Sequence, residues 1–327
     1  MEKAKTVYPY IPNSVESIKE EMLNTIGAKS LEELYAYIPD HLRYKEDLDI
    51  PGPILNEIEL KKHIMNKLNK NTSTAEYTSF LGGGCARHYV PAICDEINAR
   101  GEFLTAYCGE MYSDHGKVQA IFEFTSLMSE LVDMDVVGLA TYDGGQASST
   151  AVRMTTRITG RNKIILPESM NPMIQDQMMN YCSFSEFAVV KMNQDTGTVD
   201  LSDLERLLDD STACVFIENP SYLGPIETEL QRISELAHEK GALLVTFIDP
   251  LALGIIEAPA NMGADITCGE NQGMGMHMGY GSGLSGFIAA HDKPEYIMNF
   301  PNHFYALYEN EKGELGFQRS LNQRTSY

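Results

Sequence analysis

Residues 243–287 read LLVTFIDPLALGIIEAPANMGADITCGENQGMGMHMGYGSGLSGF, and this stretch decides the fold. Its apolar start, 243–248, predicts a buried strand that ends at Asp249-Pro250. A second short apolar step covers 264–267, and a loop rich in glycine and methionine separates it from a further predicted strand at 286–290. A carboxylate therefore follows one buried strand, and a glycine-rich loop follows the next.

This layout is typical of the centre of a pyridoxal phosphate (PLP) enzyme. In such a centre an aspartate at a strand end pairs with the pyridinium nitrogen, and a lysine about one loop later forms the Schiff base. Asp249 has the place of that aspartate, but no lysine occurs between Lys240 and Lys293. The stretch therefore predicts a cofactor scaffold that lacks its nucleophile.

Short apolar runs alternate with amphipathic helix patterns through the middle of the chain. Strands are predicted at 163–167, 186–192, 213–220 and 243–248. The alternation predicts an α/β fold with a parallel-rich sheet covered by helices on both faces. Ligands of such sheets bind at the carboxyl ends of the strands, so Asp249 and the loop 269–283 are expected at a binding rim.

The turn Asp143-Gly144-Gly145 precedes a helix rich in small residues. In PLP enzymes of this layout, a glycine-rich turn at a helix N-terminus binds the cofactor phosphate. The alternative interpretation is a tight strand-to-helix turn whose small residues permit close helix packing. The turn alone leaves both interpretations open.

Composition narrows the classes of partner. The 327 residues carry a formal charge of −21, which disfavours nucleic acid because the phosphate backbone is also negative. No apolar run approaches the length of a membrane span and the start of the chain is polar, so we expect no membrane association. The six cysteines form no CxxC pair or zinc-type spacing, which favours reduced thiols and a cytoplasmic location.

The chain is expected to have three parts. Residues 1–70 contain helix patterns with plausible caps and predict an N-terminal helical arm. Residues 71–293 carry the strand and helix alternation and predict a large α/β domain. Residues 294–327 are expected to begin a C-terminal segment.

Histidines and tyrosines gather in glycine-rich sequence between residues 77 and 116. We expect this cluster to line a site or an interface, since loops often carry function. The alternative is a surface histidine with ordinary packing tyrosines. The histidines His88 and His115 lack partners at ligand spacing, so no metal site is predicted. The candidate residues are His88, Tyr89, Tyr107 and Tyr112.

Ten segments follow the order of one known family. They are YIPN (10–13), FLGGGCARHYVPAI (80–93), FLTAY (103–107), KVQAIFEF (117–124), SELVDMDV (129–136), TYDGGQAS (141–148), NPSYLGPIE (219–227), IDPLALGIIEAPANMGADI (248–266), GENQGMG (269–275) and ELGFQRSLNQRT (314–325). With them the chain closely resembles the first subunits of two-subunit glycine decarboxylases, the P-proteins of the glycine cleavage system. The resemblance covers nearly the whole chain.

The resemblance implies the aspartate aminotransferase-like fold, fold type I of the PLP-dependent transferases. It also implies a homologous subunit 2 that bears the Schiff-base lysine and the PLP. Together the subunits would decarboxylate glycine and pass the aminomethyl group to the lipoyl arm of H-protein.

In this chain the resemblance puts Gln272 at the position of the Schiff-base lysine, and the amide of glutamine cannot condense with an aldehyde. Asp249, Gly144, Gly145 and Gln272 are then expected to form a vestigial cofactor site. The loops that contain His88 and the tyrosines are expected to face the active site of the partner.

Two departures from the family pattern keep other functions open. CGEMYSDHGK at 108–117 replaces a proline- and glutamine-rich run. The chain also stops at Tyr327, whereas family members continue for roughly a hundred residues as a smaller domain. We therefore expect a truncated or missing small C-terminal domain. The alternatives are a non-catalytic structural or regulatory pseudo-subunit, or a paralogue that acts on another amino acid.

Overall fold

The computed structural model describes residues 7–46, 48–80, 84–104, 115–279 and 283–319. The chain divides into two compact units, 1–73 and 74–327. The three-part division with boundaries after residues 70 and 293 stays a prediction.

The described part of the first unit is helical. It contains α1 (Glu16–Thr25), α2 (Leu31–Leu34) and α3 (Glu57–Leu68), with 3-10 turns at Pro12–Ser14 and Asp40–Leu42. Two of these helices begin at capping side chains. Ser30 Oγ accepts from Glu33 N at 3.4 Å, and Asn56 Oδ1 accepts from Ile58 N at 2.9 Å.

The second unit contains seven described helices and nine strands. The helices are α4 (Ala92–Asn98), α5 (His115–Val132), α6 (Gly144–Thr159), α7 (Pro172–Tyr181), α8 (Leu201–Leu207), α9 (Leu230–Glu239) and α10 (Pro294–Ile297). The strands are β1 (Val136–Val137), β2 (Lys163–Pro167), β3 (Glu186–Val190), β4 (Thr212–Glu218), β5 (Leu243–Ile248), β6 (Ile266–Glu270), β7 (Gly286–Ala290), β8 (Tyr305–Glu309) and β9 (Leu315–Arg319). Within the described ranges, no helix has the length and apolar character that crossing a membrane requires.

Seven strands form one sheet in the order β1-β7-β6-β5-β4-β2-β3. Strands β2 to β6 pair in parallel, whereas β7 runs antiparallel to β6 and β1 runs antiparallel to β7. β8 and β9 form a separate antiparallel hairpin. The parallel-rich α/β fold is therefore confirmed, and β2 and β5 have the bounds that the sequence predicts.

The core lies on both faces of this sheet. Every residue of β4 is buried, and its side chains alternate between two apolar clusters. Cys214 and Phe216 join the cluster formed with α6 and α7, while Val215 and Ile217 join the one formed with α8 and α9. Burial on both faces explains why these strands are continuous apolar runs in the sequence.

The carboxyl ends of β2 to β6 meet at one edge, which we call the carboxyl edge. Because β7 is antiparallel to β6, it begins at this edge, where Gly286 pairs with Glu270. Thr141 bridges Gly286 through two backbone hydrogen bonds of 2.9 and 3.1 Å. This bridge brings the start of α6 to the same edge.

Candidate functional site

The N-terminus of α6 is bonded to carboxylates of the chain itself. Asp143 Oδ1 accepts from Gln146 N at 2.6 Å, and Glu270 Oε2 accepts from Gly144 N at 2.7 Å. A Cβ at Gly145 would lie 2.1 Å from Oε1 of the exposed Gln177 side chain, which would have to rotate away to admit a larger residue. These contacts satisfy donors that a helix start otherwise offers to an anion.

Glu270, the last residue of β6, connects three segments of this site. Besides Gly144, its carboxylate accepts from Gln272 N at 3.0 Å and from Ser285 N at 2.9 Å. Burial raises the pKa of the Glu270 carboxyl, and the three backbone donors oppose that rise. Glu270 therefore holds together the start of α6, the loop after β6 and the approach to β7.

Gln272 is buried, and its amide is fully used. Its Oε1 accepts from Ala86 N at 3.0 Å, and its Nε2 donates to Ala86 O and Met276 O, each at 3.0 Å. The side chain thus ties the segment around Ala86 to the loop after β6. These contacts connect residues 186 positions apart in the sequence.

Asp249 is exposed and caps a turn. Its Oδ1 accepts from Leu251 N at 2.9 Å, at the start of the 3-10 turn Pro250–Gly254. A Cβ built at Gly273 would lie 3.6 Å from the same oxygen. A side chain at position 273 would therefore approach Asp249, but this position is a glycine.

His88 lies beside Gln272 at this edge. Its Nδ1 lies 3.1 Å from Ala86 O and 3.5 Å from Gln272 Nε2. Its Nε2 is buried without a hydrogen-bond partner among the described residues. Tyr89 is 84% exposed and so is free to meet another surface. Tyr107 and Tyr112 lie outside the described residues.

A surface pocket of about 230 Å³ adjoins His88. It is lined by Thr74, Ala86, Arg87, His88, Val90, Met276, His277 and Met278. Across the described ranges, no group of three or more His, Cys, Asp or Glu side chains is arranged to hold a metal ion. The polar side chains of the pocket are therefore two imidazoles, a guanidinium and a hydroxyl rather than a cluster of metal ligands.

Three further residues of the carboxyl edge were not identified from the sequence. Burial raises the pKa of Glu218 to about 7, while the carboxylate accepts from Asn171 N at 2.8 Å and Tyr222 N at 3.2 Å. Asn271 is 4% exposed, and both of its amide atoms lack partners in the described structure. Glu218 and Glu270 share a sequence signal, since each is a charged residue at the end of an otherwise apolar or small-residue strand.

The PLP that the fold implies does not fit these residues. The N–H groups of Gly144 and Gln146 already hold carboxylates, so an incoming phosphate would meet negative charge at the helix start. Neither Gln272 nor Gly273 offers an amine to an aldehyde. No catalytic step is therefore assigned to a cofactor bound in this chain.

Replacement of Gln272 by alanine is expected to loosen the segment around Ala86. Three hydrogen bonds are lost, each worth about 1 kcal/mol net. Local opening of the segment around Ala86 should become at least about tenfold more frequent, because 1.4 kcal/mol corresponds to a factor of ten. Exposed Arg87 lies in that segment, so limited trypsin digestion followed by mass spectrometry would measure cleavage after Arg87.

Gln194→Ala is the matched control, because among the described residues the Gln194 amide bonds to Met192 O, in its own loop. Its cleavage after Arg87 should equal that of the wild type. Equal cleavage rates in the Gln272→Ala variant and the wild type would contradict the role assigned to Gln272.

Comparisons with known proteins agree on one family. A family model described as "Glycine cleavage system P-protein" matches residues 9–326. A protein of Carboxydothermus hydrogenoformans named "Probable glycine dehydrogenase (decarboxylating) subunit 1" is 36% identical over 97% of this chain and 71% of its own length. A relative of the same name from Staphylothermus marinus is 36% identical over 98% of this chain and 70% of its own.

Solved structures support the same assignment. The crystal structure of an inhibitor-bound glycine decarboxylase (P-protein) of the glycine cleavage system aligns with a TM-score of 0.83 and 30% identity, over 98% of this chain and 70% of that one. A sphingosine-1-phosphate lyase of Burkholderia pseudomallei aligns with a TM-score of 0.55 and 15% identity over 87% of this chain and 68% of that one, which is a likeness of fold alone. The expected fold type I architecture is confirmed.

Proposed function

The chain belongs to the glycine cleavage system P-protein family, and from this membership we propose that it works only with a homologous second subunit. In this proposal, subunit 2 carries the Schiff-base lysine and the PLP. The complex decarboxylates glycine and transfers the aminomethyl group to the lipoyl arm of H-protein. We propose that this reaction takes place in the cytoplasm, where buried free thiols such as Cys214 stay reduced.

One observation carries this proposal. Neither Gly273, which lies next to Asp249, nor Gln272, which is bonded to Ala86, has a side-chain amine. A side chain at Gly273 would approach Asp249, and the Gln272 amide is held by Ala86 and Met276. Schiff-base chemistry requires a lysine amine. The missing amine supports a division of labour in which subunit 2 holds the cofactor.

The residues of this chain are proposed to complete the site of the partner. His88 has a buried Nε2 without a partner in the described structure, and Tyr89 presents an exposed phenol beside it. A neutral imidazole nitrogen can accept or donate one further hydrogen bond. We assign His88 and Tyr89, and on the ground of the sequence alone Tyr107 and Tyr112, to the surface that faces the partner's active site.

The experiment mixes this purified chain with a subunit 2 of the family, PLP, glycine and lipoylated H-protein. Exchange of labelled bicarbonate into glycine is expected for the mixture and for neither subunit alone. A borohydride-reducible PLP–lysine adduct on this chain alone would contradict the division of labour. A stable complex without exchange would contradict catalysis and favour the structural pseudo-subunit.

His88→Ala in the same mixture tests the partner-facing surface. Exchange should fall at least tenfold, as is common when a positioned polar group is removed from an active site. His291→Ala is the control, because His291 follows the end of β7 and so lies at the opposite edge of the sheet. Equal exchange in both variants would remove His88 from the proposal.

A further inference from the structure

The Glu270 carboxylate lies where an anion would bind at the start of α6. Its three donors are Gly144 N at 2.7 Å, Ser285 N at 2.9 Å and Gln272 N at 3.0 Å. Gly144 lies 126 positions from Glu270, whereas Gln272 and Ser285 belong to the loop that follows β6, and all three donors converge on one carboxylate. We propose that Glu270 is a built-in anionic ligand that keeps external phosphate groups out of this chain's own phosphate cradle.

The helix start supplies the attraction that this carboxylate uses. α6 has 16 residues, and backbone N–H groups at the N-terminus of a helix carry a partial positive charge that favours anions. The same groups bind phosphate in proteins that leave them free. Glu270 and Asp143 take two of these donors and place two negative charges where a second anion would bind.

Glycine at position 144 makes the close approach of Glu270 possible. A Cβ built there would lie 3.0 Å from the Glu270 Cβ and 2.8 Å from Phe247 Cε2. Real Cβ atoms essentially never show a contact below 3.0 Å, so a larger residue would require Phe247 to shift and would crowd Glu270. The glycine at position 144 therefore permits the hydrogen bond between its own N–H and the Glu270 carboxylate.

The consequence is that Gly144 N, Gln272 N and Ser285 N are all satisfied without any ligand. An unpaired buried N–H would destabilise the fold by about 1–3 kcal/mol, so the carboxylate replaces what a bound phosphate would otherwise supply. Removal of the carboxylate should leave three converging donors and a space about the size of the lost group. Inorganic phosphate presents the oxygen atoms and the charge that such donors bind.

This inference goes beyond the proposed function, and its test needs neither subunit 2 nor glycine. Calorimetric titration of the full chain with inorganic phosphate is expected to show no saturable binding to the wild type. Glu270→Ala should bind one phosphate per chain, with an affinity at least tenfold above the detection limit of the same titration. Phosphate should also raise the unfolding temperature of this variant and leave that of the wild type unchanged.

Glu227→Ala is the matched control. The Glu227 carboxylate is buried, whereas Glu270 is half-buried, and it accepts from two backbone donors, Val199 N at 2.8 Å and Glu229 N at 3.0 Å, but it does not bond to the start of α6. Its removal should bring no phosphate binding. Phosphate binding of equal strength to the wild type, or to the Glu227→Ala variant, would overturn the inference.

A second variant covers the case in which Glu270→Ala does not fold. Glu270→Gln keeps the volume and one acceptor but removes the charge, and it sets an amide donor against the donors of the cradle. Phosphate should raise its unfolding temperature, with weaker binding than in the alanine variant because the amide still fills space. Failure of phosphate to stabilise this variant would overturn the proposal.

Discussion

Gly286→Ala is expected to destabilise the second unit by about 3 kcal/mol or more, at the upper end for an overpacked core. An added Cβ would lie 2.2 Å from Asp143 O, 2.3 Å from Thr141 Oγ1 and 2.6 Å from the Asp143 carbonyl carbon. Two of these atoms belong to the backbone and cannot rotate away. Either β7 must move from β6 or the chain at 141–143 must move from β7.

The displacement would reach the candidate site, because Asp143 caps α6. A shift of Asp143 moves Gly144 away from the Glu270 carboxylate, and that bond is only 2.7 Å long. Thermal unfolding should show a midpoint lower by roughly 6–12 °C, given about 2–4 °C per kcal/mol for a unit of this size.

Gly254→Ala provides the control, since a Cβ at Gly254 meets nothing within 4 Å and the position has no positive φ. That variant should unfold at the wild-type temperature or slightly above it, because alanine restricts the unfolded chain. Equal midpoints for Gly286→Ala and Gly254→Ala would show that the approach of β7 to the start of α6 is not tight.

The strands of the sheet could be predicted because their signal is local. Lys163–Pro167 and Leu243–Ile248 are apolar runs of a strand's length, and both faces of the sheet bury them. β6 begins later than its predicted apolar step and extends to Glu270, since the ladder with β7 continues through small residues and a carboxylate. The hairpin of β8 and β9 has no buried alternating pattern to reveal it, although Phe317 packs 5.5 Å from Phe122 between ring centroids.

The sequence predicts where the site lies in the fold, but it does not predict which side chains contact one another there. Asp249 and the loop 269–283 indicate the carboxyl edge in the sequence, because parallel strands place their ends together. The partners of Glu270 and Gln272 lie 126 and 186 positions away, and no local pattern encodes contacts of that separation. The prediction for Gly144 as part of a phosphate cradle therefore missed the carboxylate that reaches it.

Glu218→Gln is expected to stabilise the protein at pH 8 and to bring little or no gain at pH 5. Glu218 is 8% exposed, and burial raises the pKa of its carboxyl to about 7. An unfolded glutamate has a pKa of about 4.3. Between these two values the folded chain holds a proton that the unfolded chain has released, so the free energy of unfolding falls as the pH rises through this window.

Above pH 7 the wild type carries a buried charge, and glutamine avoids it while its amide oxygen can still accept from Asn171 N or Tyr222 N. The full pKa shift, from about 4.3 to about 7, corresponds to about 4 kcal/mol at roughly 1.4 kcal/mol per pKa unit. The gain at pH 8 should be smaller, about 2 kcal/mol, because the amide keeps fewer acceptor sites than the carboxylate. At pH 5 the wild-type carboxyl is neutral when folded, so the two proteins should differ by less than about 1 kcal/mol.

Urea unfolding of both proteins at pH 5 and pH 8 measures this difference of differences, and other titrating groups cancel because both proteins share them. Glu311→Gln is the control, since Glu311 lies exposed in the turn between β8 and β9, and its effect should be the same at both pH values within about 0.5 kcal/mol. A Glu218→Gln effect that does not change between pH 5 and pH 8 would mean that the folded protein ionises this carboxyl in the ordinary range. In that case the donors Asn171 N and Tyr222 N would outweigh burial at the end of β4.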